Sequence, residues 1–181
     1  MRVRAFFGLP LPEAHRTALD AYISACAAAA PQFRWTPAAN LHLTIRFLGH
    51  LEQAVAEGIA DRLGDDPQAG FDVRLDGTGT FKRGRLARVV WMGLASGTEA
   101  MAALAATVEA ACVAAGLEPE PRRFSAHLTL ARARARDGAV LAELPQPPQL
   151  PAWRVETLVL FRSHLGRAGS VYEPLRAVSL S

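Results

Sequence analysis

Two stretches decide the fold: NLHLTIRFLG, Asn40–Gly49, and SAHLTLARAR, Ser125–Arg134. Both contain His-Leu-Thr followed by an aliphatic residue. They lie 85 positions apart (127 − 42) in a chain of 181 residues with five histidines. Sliding the sequence against itself by 85 positions, without a gap, sets Phe6-Phe7-Gly8-Leu9 on Trp91-Met92-Gly93-Leu94. The same shift sets Leu19 on Leu104, Ile23 on Val108, and Val73 and Leu75 on Leu158 and Leu160. The offset keeps strand, helix, motif strand and later strand in one order. Two copies of so long a unit do not make a solenoid. They predict one bilobal domain over residues 1–181. Its class is α+β: two mostly antiparallel sheets, helices on their outer faces and a central cleft on a pseudo-two-fold axis.

Outward from the motifs, the elements follow from periodicity and breakers. Val3–Leu9 reads as a strand. Pro12 and Glu13 open a helix in which His15, Leu19, Tyr22, Ile23 and Cys26 fall at helical spacing, and Pro31 ends it. Leu41–Leu48 is the first motif strand. A shorter helix covers Glu52–Leu63 and closes at Gly64. Strands at Phe71–Gly77 and Ala87–Leu94 are joined by a basic, glycine-containing loop. Ser96 and Glu99 have the spacing of a capping box. The helix they open carries Leu104, Val108, Cys112 and Ala115 on one stripe and stops at Gly116. Ser125–Ala131 is the second motif strand. Pro145–Pro151 is a stiff loop that cannot pair as a central strand. Arg154–Arg162 and Ser170–Ser179 form a closing, hairpin-like pair around SHLGRAG.

Composition bounds the class. Half the residues are hydrophobic and a fifth are charged, which fits a soluble globular chain and excludes a disordered one. No apolar run approaches the roughly 20 residues of a membrane span. The apolar part of the N-terminus is too short for a secretory signal and is interrupted by Pro10 and Pro12. These features predict a cytoplasmic monomer with no membrane partner. Cys26 and Cys112 read as reduced, partly buried thiols. The net charge is +3, and Lys82 is the only lysine among 20 basic side chains. The planar forks of the arginines suit phosphate. The clusters Lys82–Arg88 and Arg132–Arg136, taken alone, read as solvated charge.

Side chains alternate across a strand. Leu41, Leu43, Ile45 and Phe47 therefore share the core face of the first motif strand, and His42, Thr44 and Arg46 share the other. In the second, Leu128 and Leu130 point inward while His127 and Thr129 point outward. A two-fold relation between the lobes brings two imidazoles and two hydroxyls into one cleft. That set suits phosphodiester chemistry. A neutral imidazole takes a proton from the attacking oxygen, and a protonated one gives a proton to the leaving oxygen; an ordinary pKa near 6.5 makes both states accessible. The threonine hydroxyls can donate to the non-bridging oxygens as charge builds there. No carboxylate or cysteine accompanies either motif at ligand spacing, so no metal or other cofactor is expected. Ser125 and Ser163 lack a nucleophile-elbow context. His15 reads as a helix-face residue, His50 and His164 as solvated.

With these residues in place, the chain resembles the 2H phosphoesterase superfamily, defined by two His-x-Thr-x motifs in a duplicated bilobal fold. More narrowly it is similar to the bacterial and archaeal RNA 2′,3′-cyclic phosphodiesterases, formerly named 2′-5′ RNA ligases. The resemblance covers RAFFGLPLP, NLHLTIRFLG, RVVWMGL, FSAHLTLAR and the pattern Ser163…Gly169-Ser170…Tyr172. It implies His42 and His127 as the acid–base pair and Thr44 and Thr129 as phosphate ligands. It implies Arg132 as a contact to the phosphate or flanking nucleotide, whereas a substrate role for Arg46 rests on strand parity alone. The implied reaction is metal-free hydrolysis of a 2′,3′-cyclic phosphate at an RNA end to a 2′-phosphate, with 2′-5′ ligation as its reverse. Two other readings stand beside it: a 2H esterase acting on another small cyclic or 2′-5′ nucleotide, and a non-catalytic RNA-binding protein.

Overall fold

Alternation along the motif strand is visible residue by residue. In the computed structural model, which describes residues 1–181, Leu41, Leu43 and Ile45 are buried while His42 and Thr44 are half-buried. The elements run in the order β1 (Arg2–Pro10), α1 (Glu13–Ala29), β2 (Phe33–Trp35), β3 (His42–Glu52), α2 (Gln53–Asp65), β4 (Phe71–Arg83), β5 (Leu86–Ser96) and α3 (Thr98–Ala114). Then come β6 (Leu128–Ala133), β7 (Trp153–Val155), β8 (Thr157–Gly166) and β9 (Gly169–Ser179). A 3₁₀ turn at Ala38–Asn40 leads into β3.

The class is α+β, with every strand pairing antiparallel. The two expected sheets are joined edge to edge into one nine-stranded sheet, ordered β7-β4-β5-β6-β3-β1-β8-β9 with β2 on β6. The seam is the pair of motif strands, β3 and β6, which share the single register pair Leu43–Leu128. The halves also exchange strands. β4, from the first half of the sequence, pairs with β5, and β8, from the second, pairs with β1.

The helices cover the face that Leu43 and Leu128 point to. α1 buries His15, Leu19, Tyr22, Ile23 and Cys26, the set its spacing predicts. α3 buries Met101, Leu104, Ala105, Val108 and Cys112. Both helices have 17 residues, and their starts are 85 positions apart (98 − 13). These side chains and the inward strand residues form one cluster of 33 buried residues. No helix is long and apolar enough to cross a membrane.

Some local expectations do not hold. The capping box does not form, because β5 runs through Ser96 and Gly97 makes the turn at φ +91° without a side-chain cap. Only glycine suits that turn: a Cβ there would stand 2.5 Å from the Asp72 carbonyl oxygen. The β4–β5 and β8–β9 hairpins extend further toward their tips than turn residues suggest, so His164 lies in β8 rather than in a loop. There it bonds Glu173 at 2.7 Å.

Leu43 and Leu128 are both fully buried at the one point where the half-sheets join. Leu43→Ala and Leu128→Ala are each expected to cost about 2–5 kcal/mol in urea unfolding. As direct neighbours, their double variant should depart from additivity; a loss under about 1 kcal/mol for either would show that the seam is not a packing anchor.

Candidate active site

The seam brings both motif histidines within reach of the Arg132 charge. Continuing the antiparallel register one residue either way from Leu43–Leu128 sets His42 opposite Thr129 and Thr44 opposite His127. All four project from the face opposite the core leucines. In a regular antiparallel ladder, directly opposed residues have Cβ atoms about 4.5–5.5 Å apart and diagonal ones about 7–8 Å. Thr44, His127, Thr129 and Arg132 line a groove of about 570 Å³.

Backbone carbonyls fix both rings. His42 Nδ1 lies 2.7 Å from the Asn40 carbonyl oxygen, and His127 Nδ1 lies 2.7 Å from that of Ser125. A carbonyl only accepts, so each Nδ1 carries the proton and donates. Each Nε2 is left without a protein partner: a lone pair when the ring is neutral, a donor when it is charged. Aromatic rings box His42, with Phe6 at 4.6 Å, Tyr172 edge-on at 5.2 Å and Phe161 at 6.3 Å between centroids. Phe81 meets His127 edge-on at 4.9 Å. Burial lowers the pKa of both histidines below 6.5; the bond to the carbonyl opposes the shift, and the Arg132 charge adds to it.

A bulge in each motif strand decides what else faces the cleft. Ile45 is unpaired between Thr44, opposite Gly8, and Arg46, opposite Phe7. Leu130, 85 positions later (130 − 45), is unpaired between Thr129, opposite Trp91, and Ala131, opposite Val90. An extra residue reverses alternation beyond it. On β6 this returns Arg132, opposite Val89, to the face of Thr129, where strict alternation would have turned it away. On β3 it corrects one expectation and qualifies another. Phe47 leaves the core face, stands 43% exposed and packs against Phe6 at 5.8 Å. Arg46 departs from strict alternation with His42 and Thr44, yet it lines the same groove as Thr44. Its guanidinium pairs with Glu109, donates to the Phe47 carbonyl, and donates to the Glu118 carbonyl at 2.8 Å. Glu109 in turn accepts from the Glu120 amide at 2.8 Å. Arg46 therefore ties β3 to α3 and to the segment leading toward His127.

The remaining histidines stand apart from this site. His15 is buried, with Nε2 bonded to the Pro151 carbonyl at 2.8 Å, and His50 is exposed. Both cysteines are buried and free. No three histidine, cysteine or carboxylate side chains cluster as metal ligands do. The carbonyls of Asn40 and Ser125 escape sequence reasoning because they are backbone groups. Of the aromatic neighbours, Phe161 and Phe81 carry no sequence signal, and Phe6 and Tyr172 mark themselves only within the family-like stretches.

The chain is similar to known proteins over most of its length. The family model described as the 2′-5′ RNA ligase superfamily matches residues 11–167. A protein of Aeropyrum pernix named RNA 2′,3′-cyclic phosphodiesterase is 33% identical over 143 residues, 77% of this chain and 81% of the relative. One of the same name from Methanothermobacter thermautotrophicus is 30% identical over 186 residues, 99% of this chain and 100% of the relative. The crystal structure of E. coli LigT complexed with 3′-AMP superposes with a TM-score of 0.84 at 27% identity, covering 100% of this chain and 99% of that one.

NMR titration of the ring C–H resonances should place the pKa values of His42 and His127 both below 6.5. Arg132→Gln removes a cation near both rings, so both values should rise. A value above 6.5 for either wild-type ring, or no rise in the variant, would contradict the electrostatic reading.

Proposed function

The chain belongs to the 2′-5′ RNA ligase superfamily of 2H phosphoesterases, and from that premise we propose that it hydrolyses 2′,3′-cyclic phosphate ends of RNA to 2′-phosphates. The observation that carries this reading is the matched pair of rings, each anchored through Nδ1 on a carbonyl two residues ahead. Relatives named RNA 2′,3′-cyclic phosphodiesterase, alike over most of the chain, support the substrate class. The whole chain acts as one bilobal unit, because the cleft draws a histidine and a threonine from each sequence half.

In this mechanism the cyclic phosphate lies between the rings. One neutral imidazole accepts a proton at Nε2 from water as the water oxygen bonds to phosphorus. The bond from phosphorus to O3′ breaks on the opposite side, and the other imidazole, protonated, gives its Nε2 proton to O3′. The product is a 2′-phosphomonoester. Thr44 and Thr129 donate to the non-bridging oxygens, and Arg132 balances their charge. Each turnover exchanges the protonation states of the two rings, which solvent restores. With a 5′-hydroxyl of RNA as the attacking group in place of water, the same groups would form a 2′-5′ linkage.

His42→Ala and His127→Ala should each reduce hydrolysis of an RNA 2′,3′-cyclic phosphate by at least about a hundredfold. Near-normal turnover by either variant would remove that ring from the mechanism. EDTA should leave the rate unchanged, and the product should carry its phosphate on O2′. Because both histidine pKa values are lowered, kcat/KM should fall as pH rises above 6.5. That limb is loss of the acid's proton, while the acidic limb is protonation of the base. A rate still rising above pH 6.5 would exclude the pair as acid and base.

A further inference from the structure

The half-sheets differ where a strand could join the free edge of each motif strand. β2 occupies that edge of β6: Phe33–Trp35 pairs with Ala131–Ala133, and the Thr36 amide reaches the Leu130 carbonyl at 2.8 Å. The corresponding segment 85 positions later, Glu118–Glu120, forms no ladder with β3. Pro119 and Pro121 disfavour one, and the Arg46 guanidinium bridges the gap instead. The groove runs along this unfilled edge. α3 contributes the small side chains Ala102, Ala105 and Ala106, which leave the volume open, and Glu109, which is engaged by Arg46.

The walls of the groove are chemically selective. Among all phenylalanine, tyrosine and tryptophan residues, only Phe47 and Phe81 are exposed, at 43% and 40%. Both line this groove. Leaving two large apolar rings in water is unfavourable by the burial each forgoes, and a stacking ligand would recover it. Four arginines line the groove against two glutamates. Arg46 engages Glu109, and Arg122 bonds Glu120 at 3.0 Å. Arg123 and Arg132 form no ion pair. Arg132 belongs to the catalytic phosphate, which leaves Arg123 as a free cation at a wall bearing exposed aromatic rings. Flat apolar stacking surfaces beside an unpaired cation are what single-stranded nucleic acid requires.

We propose that this groove extends from the catalytic residues into a second nucleotide subsite at Phe47 and Arg123, holding the nucleotide that precedes the cyclic-phosphate nucleotide of an RNA end. Its base stacks on Phe47, since Phe81 packs against His127, and the internucleotide phosphate meets Arg123. The inference rests on the RNA-end reading above and adds to it a preference for chains over single nucleotides.

The test is calorimetric titration of the protein with adenosine 2′-phosphate and with ApA bearing a terminal 2′-phosphate, alongside hydrolysis of the two corresponding 2′,3′-cyclic phosphates. The wild type should bind the dinucleotide at least about tenfold more tightly. Phe47→Ala and Arg123→Ala should each reduce that ratio about fivefold or more, the lower range for loss of one stacking contact. Added salt should weaken dinucleotide binding more than mononucleotide binding, except in Arg123→Ala. A wild-type ratio below about two, or a ratio that neither variant changes, overturns the subsite. Retained preference with no hydrolysis of either cyclic compound would instead reject the catalytic reading and leave the subsite standing. Circular dichroism of both variants separates misfolding from loss of contact, and if one is misfolded, Phe47→Leu or Arg123→Gln takes its place.

Discussion

Each imidazole is held by the carbonyl oxygen two residues ahead of it in the chain, Asn40 for His42 and Ser125 for His127. The rest of the site depends on that bond. It selects the tautomer with hydrogen on Nδ1 and leaves Nε2 of both rings without a protein partner. Since the acceptor belongs to the backbone just before each motif strand, ring orientation follows from how the strand begins. The 3₁₀ turn before β3 and the loop before β6 are thus parts of the site, although neither contributes a reactive side chain.

The second constraint is the seam. One register pair joins the half-sheets, and the four motif side chains flank it on the face away from the core. Exchange of β4 and β8 between the halves locks the arrangement, since each half-sheet contains strands from both halves of the sequence. Matched bulges at Ile45 and Leu130 then differentiate the two sides. The same geometry brings Phe47 forward on one strand and Arg132 on the other. A near-symmetric scaffold thereby presents an apolar wall on one side of the histidine pair and a cation on the other, which suits a ligand with a base at one end and a phosphate at the other.

Much of this was legible in the sequence. The motif parity up to Ile45, the buried face of α1 and the offset of the helices follow from periodicity, because burial on one face forces a pattern of apolar residues. The bulges were not legible. Ile45 and Leu130 are ordinary strand residues, and the register shift that leaves them unpaired is set by β1 and β5. Alternation alone therefore misassigned Phe47. Nor does a repeat offset reveal strand exchange, since it records which segments are alike and not which ones pair. Ser96 and Glu99 have capping-box spacing, yet the continuing β5 ladder outcompetes a cap worth roughly 1 kcal/mol.

The account depends on both Nε2 atoms addressing one phosphate at the same time. Long-range proton–nitrogen correlation spectra of ¹⁵N-histidine-labelled protein, recorded while 2′-AMP is added, measure this directly. The predicted result is that the Nε2 signals of His42 and His127 shift together along one saturation curve at one ligand per chain, with both Nδ1 atoms protonated throughout. A response from one ring only, or a neutral ring carrying its hydrogen on Nε2, would contradict it.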